Sequence, residues 1–124
     1  MKTALIMDDS EKVRVTLNKI LTAMGFKVFE AGDGISGIKM IQEHDIDLLV
    51  LDLIMPKKGG VDTLLELRTA RNLKIIVITG NVMPDNDQFM NFTKTFGIKH
   101  TLFKPFRRSD FINAVNDTFA KKSA

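Results

Sequence analysis

Three aspartates, a threonine and a lysine in this chain each lie at the end of a short apolar run. Asp8 and Asp9 come after TALIM, and Asp52 comes after LLVL. Thr79 ends KIIVIT, and Lys104 follows IKHTLF. An aspartate next to an apolar run requires an explanation, because removing an unpaired charge from water is costly. If the runs are neighbouring parallel strands, these side chains meet at one end of a sheet.

Such a cluster has the chemistry of a phosphoryl-transfer site. Adjacent carboxylates repel one another, which raises at least one pKa unless cations balance the charge. Lys104 supplies one cation, and Mg²⁺ is the natural second one because it takes oxygen ligands from carboxylates and phosphates. A carboxylate beside a metal ion and a lysine can attack phosphorus to form an acyl phosphate, while the Thr79 hydroxyl donates to a phosphoryl oxygen. The cluster therefore predicts that Asp52 is where phosphate is attached.

Five strand-helix units follow one another along the chain. The predicted strands cover residues 3–7, 26–31, 47–51, 74–79 and 98–103. Apolar residues at helical spacing follow each strand: Val13, Leu17, Ile20, Leu21 and Met24; Ile35, Ile38 and Ile41; Val61, Leu64 and Leu65; Phe89, Phe92 and Phe96; and Phe111, Ile112, Val115 and Phe119. Helical crossovers between strands indicate an α/β fold, with a doubly wound five-stranded parallel sheet and helices on both faces.

Local signals refine this prediction. Ser10 has the side chain of a helix N-cap, and Gly25 can end the first helix. The continuous apolar runs LLVL and IIVI favour central strands, whereas the mixed run FKVFEA favours an edge strand. In such a sheet, ligands bind outside the carboxyl ends of the strands, where the acidic cluster is expected.

The segments MDDS, EAGDGISGI, LLVLDLIMPKKGG, IIVITG and FKPF resemble the motifs of the receiver domain of two-component response regulators, the CheY-like family. The resemblance covers almost the whole chain. It implies strand order 2-1-3-4-5 and a single receiver domain over residues 1–124.

The resemblance also implies a role for each residue of the cluster. Asp52 matches the phosphoacceptor, and Asp8 and Asp9 match the acidic pair that organises Mg²⁺, with Asp9 the more direct ligand. Thr79 matches the hydroxyl residue that follows the phosphate, and Lys104 matches the lysine that pairs with it.

Three further positions follow from the same comparison of motifs. The backbone carbonyl of Ile54 is an expected Mg²⁺ ligand beside the carboxylates, and Lys104–Pro105 resembles the family's cis peptide. Thr101 departs from the pattern, because the family usually has an aromatic residue three positions before the lysine. A threonine cannot swing a ring between exposed and buried states, so signalling to the output surface is expected to proceed without the usual aromatic relay.

A receiver is a signalling phosphoacceptor that assists its own phosphorylation and dephosphorylation, and not an enzyme in the usual sense. The expected donor is a histidine kinase or histidine phosphotransfer protein. The expected output is an effector protein that binds the predicted fourth helix, fifth strand and fifth helix, a face that carries Lys94, Lys99, Arg107 and Arg108. The alternative is a receiver-like interaction module that works without phosphorylation; the intact acidic cluster argues against it.

Composition narrows the remaining classes of protein. With 124 residues and no cysteine, the chain suits one domain without disulfides or thiolate zinc sites. The net charge of +3 is dispersed and no nucleic-acid reader motif is present, so neither direct nucleic-acid binding nor membrane insertion is expected. The first apolar run is too short for a secretory signal, which predicts a cytoplasmic protein. The chain ends near the end of its last predicted helix, so a stand-alone receiver is expected.

Overall fold

The computed structural model describes residues 1–53, 63, 73–80, 94–95 and 97–120. Within these residues the strands are β1 (Thr3–Met7), β2 (Lys27–Ala31), β3 (Leu48–Asp52), β4 (Lys74–Thr79) and β5 (His100–Phe103). The helices are α1 (Glu11–Ala23), α2 (Gly34–Glu43) and the C-terminal helix (Arg108–Phe119). The helices predicted around residues 61–65 and 89–96 lie outside the described residues.

The five strands form one parallel sheet in the order β2-β1-β3-β4-β5. This order confirms the predicted topology. Every residue of the central strand β3 is buried, whereas β2 and β5 lie at the edges and are partly exposed. The predicted bounds of β1 and β4 are confirmed; β3 is shifted by one residue, and β2 and β5 begin later than predicted.

Helices cover both faces of the sheet, because successive side chains of a strand point in opposite directions. Ala4 and Ile6 of β1 belong to one core, together with buried residues of α1 and the C-terminal helix. Leu5 and Met7 belong to a second core, against which apolar side chains of α2 pack. None of the described helices combines the length and the apolar character needed to cross a lipid bilayer.

The ends of α1 follow the sequence signals. Ser10 is the N-cap, and its side-chain oxygen accepts a hydrogen bond from the Val13 N–H at 3.3 Å. Met24 caps the other end, and Gly25 follows it with φ +96°, a conformation that glycine adopts at little cost. The cap places the start of α1 directly after the two aspartates that follow β1.

Helix α2 forms where the sequence predicts a helix, and its most buried residues are glycines. Ile35, one of the apolar residues at helical spacing, is 61% exposed. The buried residues of α2 are Gly34 and Gly37, and a Cβ atom on Gly37 would collide with the Met7 side chain. The absence of a side chain at Gly37 therefore lets α2 approach β1.

We expect Gly37→Ala to lower the free energy of unfolding by about 1–2 kcal/mol. This is the overpacking cost in a filled core less the helix-propensity gain of alanine over glycine. Urea unfolding followed by circular dichroism measures the loss. Ser36→Ala, an exposed change on the same helix, is the matched control and should shift stability by less than about 0.5 kcal/mol.

The same substitution should cost less in a Met7→Ala background, because the side chain that the new Cβ meets is gone. An equal cost in both backgrounds would show that the contact with Met7 does not set the approach of α2.

Candidate functional site

The carboxyl ends of four strands bring the predicted site residues together. Asp8 follows β1, Asp52 is the last residue of β3, and Thr79 is the last residue of β4. Lys104 follows β5, and its Nζ atom reaches across to both Asp8 and Asp52. The structure thus confirms the convergence that strand-end positions predicted.

Asp8 is fully buried and is held by its own backbone as well as its carboxylate. Its N–H donates to the Ala31 carbonyl at 3.1 Å, which extends the pairing of β1 with β2. One carboxylate oxygen, Oδ1, accepts a hydrogen bond from the Ser10 N–H at 2.9 Å. The other, Oδ2, lies 2.7 Å from Lys104 Nζ. The cap residue of α1 and the lysine after β5 therefore fix the two oxygens separately.

Asp52 is 3% exposed at the end of the most deeply buried strand. Its Oδ2 atom accepts a hydrogen bond from Lys104 Nζ at 3.2 Å. A buried carboxylate is tolerated when a cation and hydrogen bonds replace its water. Lys104 provides that compensation, so the aspartate that interrupts the apolar run has an electrostatic partner in the folded protein.

The Lys104 ammonium is shared between Asp8 and Asp52. Burial lowers its pKa, but the contact with Asp8 and the charge of Asp52 together outweigh burial, so its pKa lies above the ordinary value of 10.5. The lysine therefore stays positively charged throughout the physiological range. Its backbone N–H donates to the Thr79 carbonyl at 2.7 Å, and the Lys104–Pro105 peptide is cis as expected.

Thr79 presents a buried hydroxyl at the edge of the cluster. Its residue is fully buried, and no described group hydrogen-bonds to its Oγ1 atom. A hydroxyl that is buried without a hydrogen-bond partner destabilises the folded protein, because the same group is hydrogen-bonded to water in the unfolded chain. A ligand that offered an oxygen acceptor at this point would satisfy it.

Three carboxylates lie close enough to hold one metal ion. Oxygen atoms of Asp8, Asp9 and Asp52 all lie within 4.8 Å of one another. Asp9 is exposed while the other two are buried, so a bound ion would keep a side open to water. An all-oxygen set with a solvent side fits Mg²⁺, which retains several waters when bound. Ile54, whose carbonyl is the fourth expected ligand, lies outside the described residues.

Sequence reasoning did not single out Arg14. Its Nη1 atom donates a hydrogen bond to the Asp8 carbonyl at 2.7 Å. A usable signal existed, because Arg14 lies one helical turn after the cap Ser10 and so next to the aspartates. From the sequence alone, Arg14 is one of many basic residues dispersed along the chain.

Thr101 lies in β5 beside Val77 and is partly buried. Phe103, two residues further along, is 39% exposed. The position that is usually aromatic in the family thus holds a small polar side chain within the sheet.

A family model described as the response regulator receiver domain matches residues 4–116. The chain is 30% identical over 115 residues to the transcriptional regulatory protein PdtaR of Mycobacterium tuberculosis. That match covers 92% of the chain and 55% of PdtaR, so the chain spans about half the length of this relative.

Two solved structures have the same fold. A CheY-like receiver domain protein from Methanospirillum hungatei has a TM-score of 0.84 and 24% identity, covering 94% of this chain and 92% of its own. A chain in the CheX–CheY–BeF₃–Mg²⁺ complex from Borrelia burgdorferi also has a TM-score of 0.84, with 28% identity and coverage of 97% and 90%.

We expect Mg²⁺ to stabilise the folded protein and Asp9→Asn to abolish that effect. At about ten times its dissociation constant, an ion that binds only the folded state adds about 1.4 kcal/mol, or roughly 5 °C in Tm. Thermal unfolding with increasing MgCl₂ measures the shift. Asp9 is the best variant because its exposed side chain can change without disturbing the core.

Asp45→Asn is the matched control, since Asp45 is also exposed but is not one of the three clustered aspartates. Equal Mg²⁺ stabilisation of the two variants would contradict the assignment of Asp9 as a ligand.

Proposed function

Because the chain belongs to the response regulator receiver family of two-component signalling, we propose that it accepts a phosphoryl group on Asp52. The donor is a phosphohistidine of a histidine kinase or histidine phosphotransfer protein, and the reaction requires Mg²⁺. The observation that carries the proposal is the buried Asp52 carboxylate, 3.2 Å from the Lys104 ammonium and beside the carboxylates of Asp8 and Asp9.

In the transfer step, an oxygen atom of the Asp52 carboxylate forms a bond to phosphorus. The bond between phosphorus and the donor's ring nitrogen breaks, and that nitrogen keeps the electron pair. The product on this chain is an acyl phosphate. Lys104 lies close enough to Asp52 to shift its contact to a phosphoryl oxygen, where its charge stabilises the transferring group.

Asp8, Asp9 and Asp52 would hold Mg²⁺, with the Ile54 carbonyl as the proposed fourth protein ligand. When bound, Mg²⁺ neutralises negative charge on the phosphoryl oxygens. The protein's own part is to keep these carboxylates together in the absence of phosphate. Lys104 does this by pairing with Asp8 and Asp52 at the same time.

Phosphorylation would change the contacts of Thr79 and Lys104. The buried Thr79 hydroxyl can donate to a phosphoryl oxygen and so gain the partner that it lacks among the described residues. The Lys104 N–H already bonds the Thr79 carbonyl, which couples the ends of β4 and β5. These new contacts exist only in the phosphorylated protein, so they can shift an equilibrium between two surface states.

The proposed product of this shift is phosphorylation-dependent binding of an effector protein. The complex of CheX with CheY, BeF₃ and Mg²⁺ supports such an output by likeness. The proposed docking surface is the predicted fourth helix, β5 and the C-terminal helix. The protein acts as a signalling phosphoacceptor in the cytoplasm and assists its own phosphorylation and dephosphorylation.

We expect incubation with acetyl phosphate and Mg²⁺ to add one phosphoryl group to the chain, measured as an increase in intact mass. The gain should disappear in Asp52→Asn and when EDTA removes Mg²⁺, because both remove a component of the transfer site. Asp45→Asn should be phosphorylated like the wild type, since it removes an exposed aspartate outside the cluster.

A mass gain that persists in Asp52→Asn would refute the assigned acceptor. If neither acetyl phosphate nor phosphoramidate adds mass to folded protein that binds Mg²⁺, the result would favour the receiver-like module that works without phosphorylation.

The proposed docking surface carries four exposed basic residues, Lys94, Lys99, Arg107 and Arg108. We expect the double change Arg107→Glu and Arg108→Glu to weaken effector binding about tenfold or more, through like-charge repulsion with an acidic partner. Pull-down with phosphorylated protein measures the loss, with the double change Lys12→Glu and Lys19→Glu on the exposed side of α1 as the charge-matched control. Unchanged binding would refute a role for these two arginines.

A further inference from the structure

We propose that Arg14 is a positioning residue that sets the Mg²⁺ affinity of the site through the peptide between Asp8 and Asp9. The inference rests on the proposed function, because it assigns a role toward the same ion. Arg14 Nη1 donates to the Asp8 carbonyl at 2.7 Å, and Arg14 Nε donates to Glu30 Oε1 at 3.1 Å. The guanidinium therefore links Glu30 in β2 to the backbone between β1 and α1.

The orientation of the Asp8 carbonyl affects the geometry of the metal ligands. It belongs to the planar peptide group that joins Asp8 to Asp9, so its orientation fixes the backbone from which the Asp9 side chain projects. The Asp8 N–H is held by Ala31, and Oδ1 is held by the Ser10 N–H. Arg14 supplies the remaining backbone contact, and without it the peptide can rotate away from its present orientation.

Arg14 is itself held by a short chain of hydrogen bonds. Asn18 Nδ2 donates to Glu30 Oε2 at 2.8 Å, and Thr22 Oγ1 donates to Asn18 Oδ1 at 2.9 Å. The side chains of Arg14 and Glu30 are 19% and 29% exposed. Both carboxylate oxygens of Glu30 therefore accept hydrogen bonds. The guanidinium that donates one of them is largely removed from solvent.

Arginine suits this position better than lysine. The two bonds come from different nitrogens of one rigid planar group, and they go to acceptors on two different residues. A lysine ammonium is a single point donor on a flexible stem. Arg14→Lys thus keeps the charge and removes the fixed geometry.

The ion expected here makes the geometry important. Mg²⁺ requires close to ideal octahedral coordination, so a rotated carboxylate binds it less well. Partners that orient metal ligands typically contribute about 10–100-fold to metal affinity. The Coulomb effect of Arg14 has the opposite sign, because a nearby positive charge repels Mg²⁺. Removing Arg14 should weaken binding if it positions the ligands and tighten binding if it acts only as a charge.

The test is isothermal titration of MgCl₂ into the full chain. We expect Arg14→Met and Arg14→Lys each to raise the Mg²⁺ dissociation constant about tenfold, and Glu30→Gln to raise it by a smaller factor. Lys12→Met controls for charge on the same helix. Ile20→Val controls for lost stability, because it removes a buried methylene of α1 away from the site. Both controls should bind within about twofold of the wild type.

A second measurement follows phosphorylation of the same variants by acetyl phosphate. The Mg²⁺ concentration that gives half the maximal rate should rise with the dissociation constant, while the rate at saturating Mg²⁺ stays within about twofold. If Arg14→Met fails to fold, Arg14→Lys and Glu30→Gln still decide the question.

Wild-type-like or tighter Mg²⁺ binding in folded Arg14 variants would overturn the positioning role and leave the proposed function intact. Failure of the wild-type chain to bind Mg²⁺ would overturn the proposed function, and this inference with it.

Discussion

The Lys104 ammonium is the contact on which the site depends. It lies between two buried carboxylates, 2.7 Å from Asp8 and 3.2 Å from Asp52. Removing a charge from water without a partner is costly, and two like charges together are worse. The shared cation lets the protein keep an acidic pocket at the end of its most buried strand. The strong field of the two carboxylates in turn keeps the lysine protonated, since its pKa is raised above 10.5.

Sheet topology is what allows this contact over long sequence distances. Lys104 and Asp52 are separated by 52 positions in the chain. The order β2-β1-β3-β4-β5 places β1, β3 and β4 side by side. The residues at the carboxyl ends of these strands therefore lie at the same end of the sheet. Lys104 follows β5 at this end of the sheet, and the hydrogen bond from its N–H to the Thr79 carbonyl links it to β4. The fold thus supplies the positions, and the side chains supply the charges.

Much of this arrangement follows from the sequence, because strand ends in a parallel sheet have a fixed meaning. Apolar runs locate the strands, and the residues after them locate the cluster of Asp8, Asp52 and Lys104. The confirmed N-cap at Ser10 and the end of α1 at the positive-φ Gly25 rest on backbone chemistry that involves few neighbours. These features depend on local patterns or on one simple rule of topology.

The features that sequence reasoning missed depend on contacts between distant segments. The glycine face of α2 is set by Met7 in β1, so reading α2 alone favours the larger residue Ile35. The contact of Arg14 with the Asp8 carbonyl depends on Glu30 in β2 for its orientation. The contact of Gly37 with Met7 has no periodic signature, and the helical spacing that places Arg14 near the aspartates does not give its bond to Glu30.

Lys104 lies after all three clustered aspartates in the sequence, so it is synthesised after them. During synthesis, Asp8, Asp9 and Asp52 emerge from the ribosome before their cation does. A partial chain that pairs β1 with β3 brings these acidic groups together before the ammonium that contacts Asp8 and Asp52 is present. Docking of β5 onto β4 then delivers the lysine. The charge of the site is therefore balanced only when a strand that follows all three aspartates in the sequence joins the sheet beside β4.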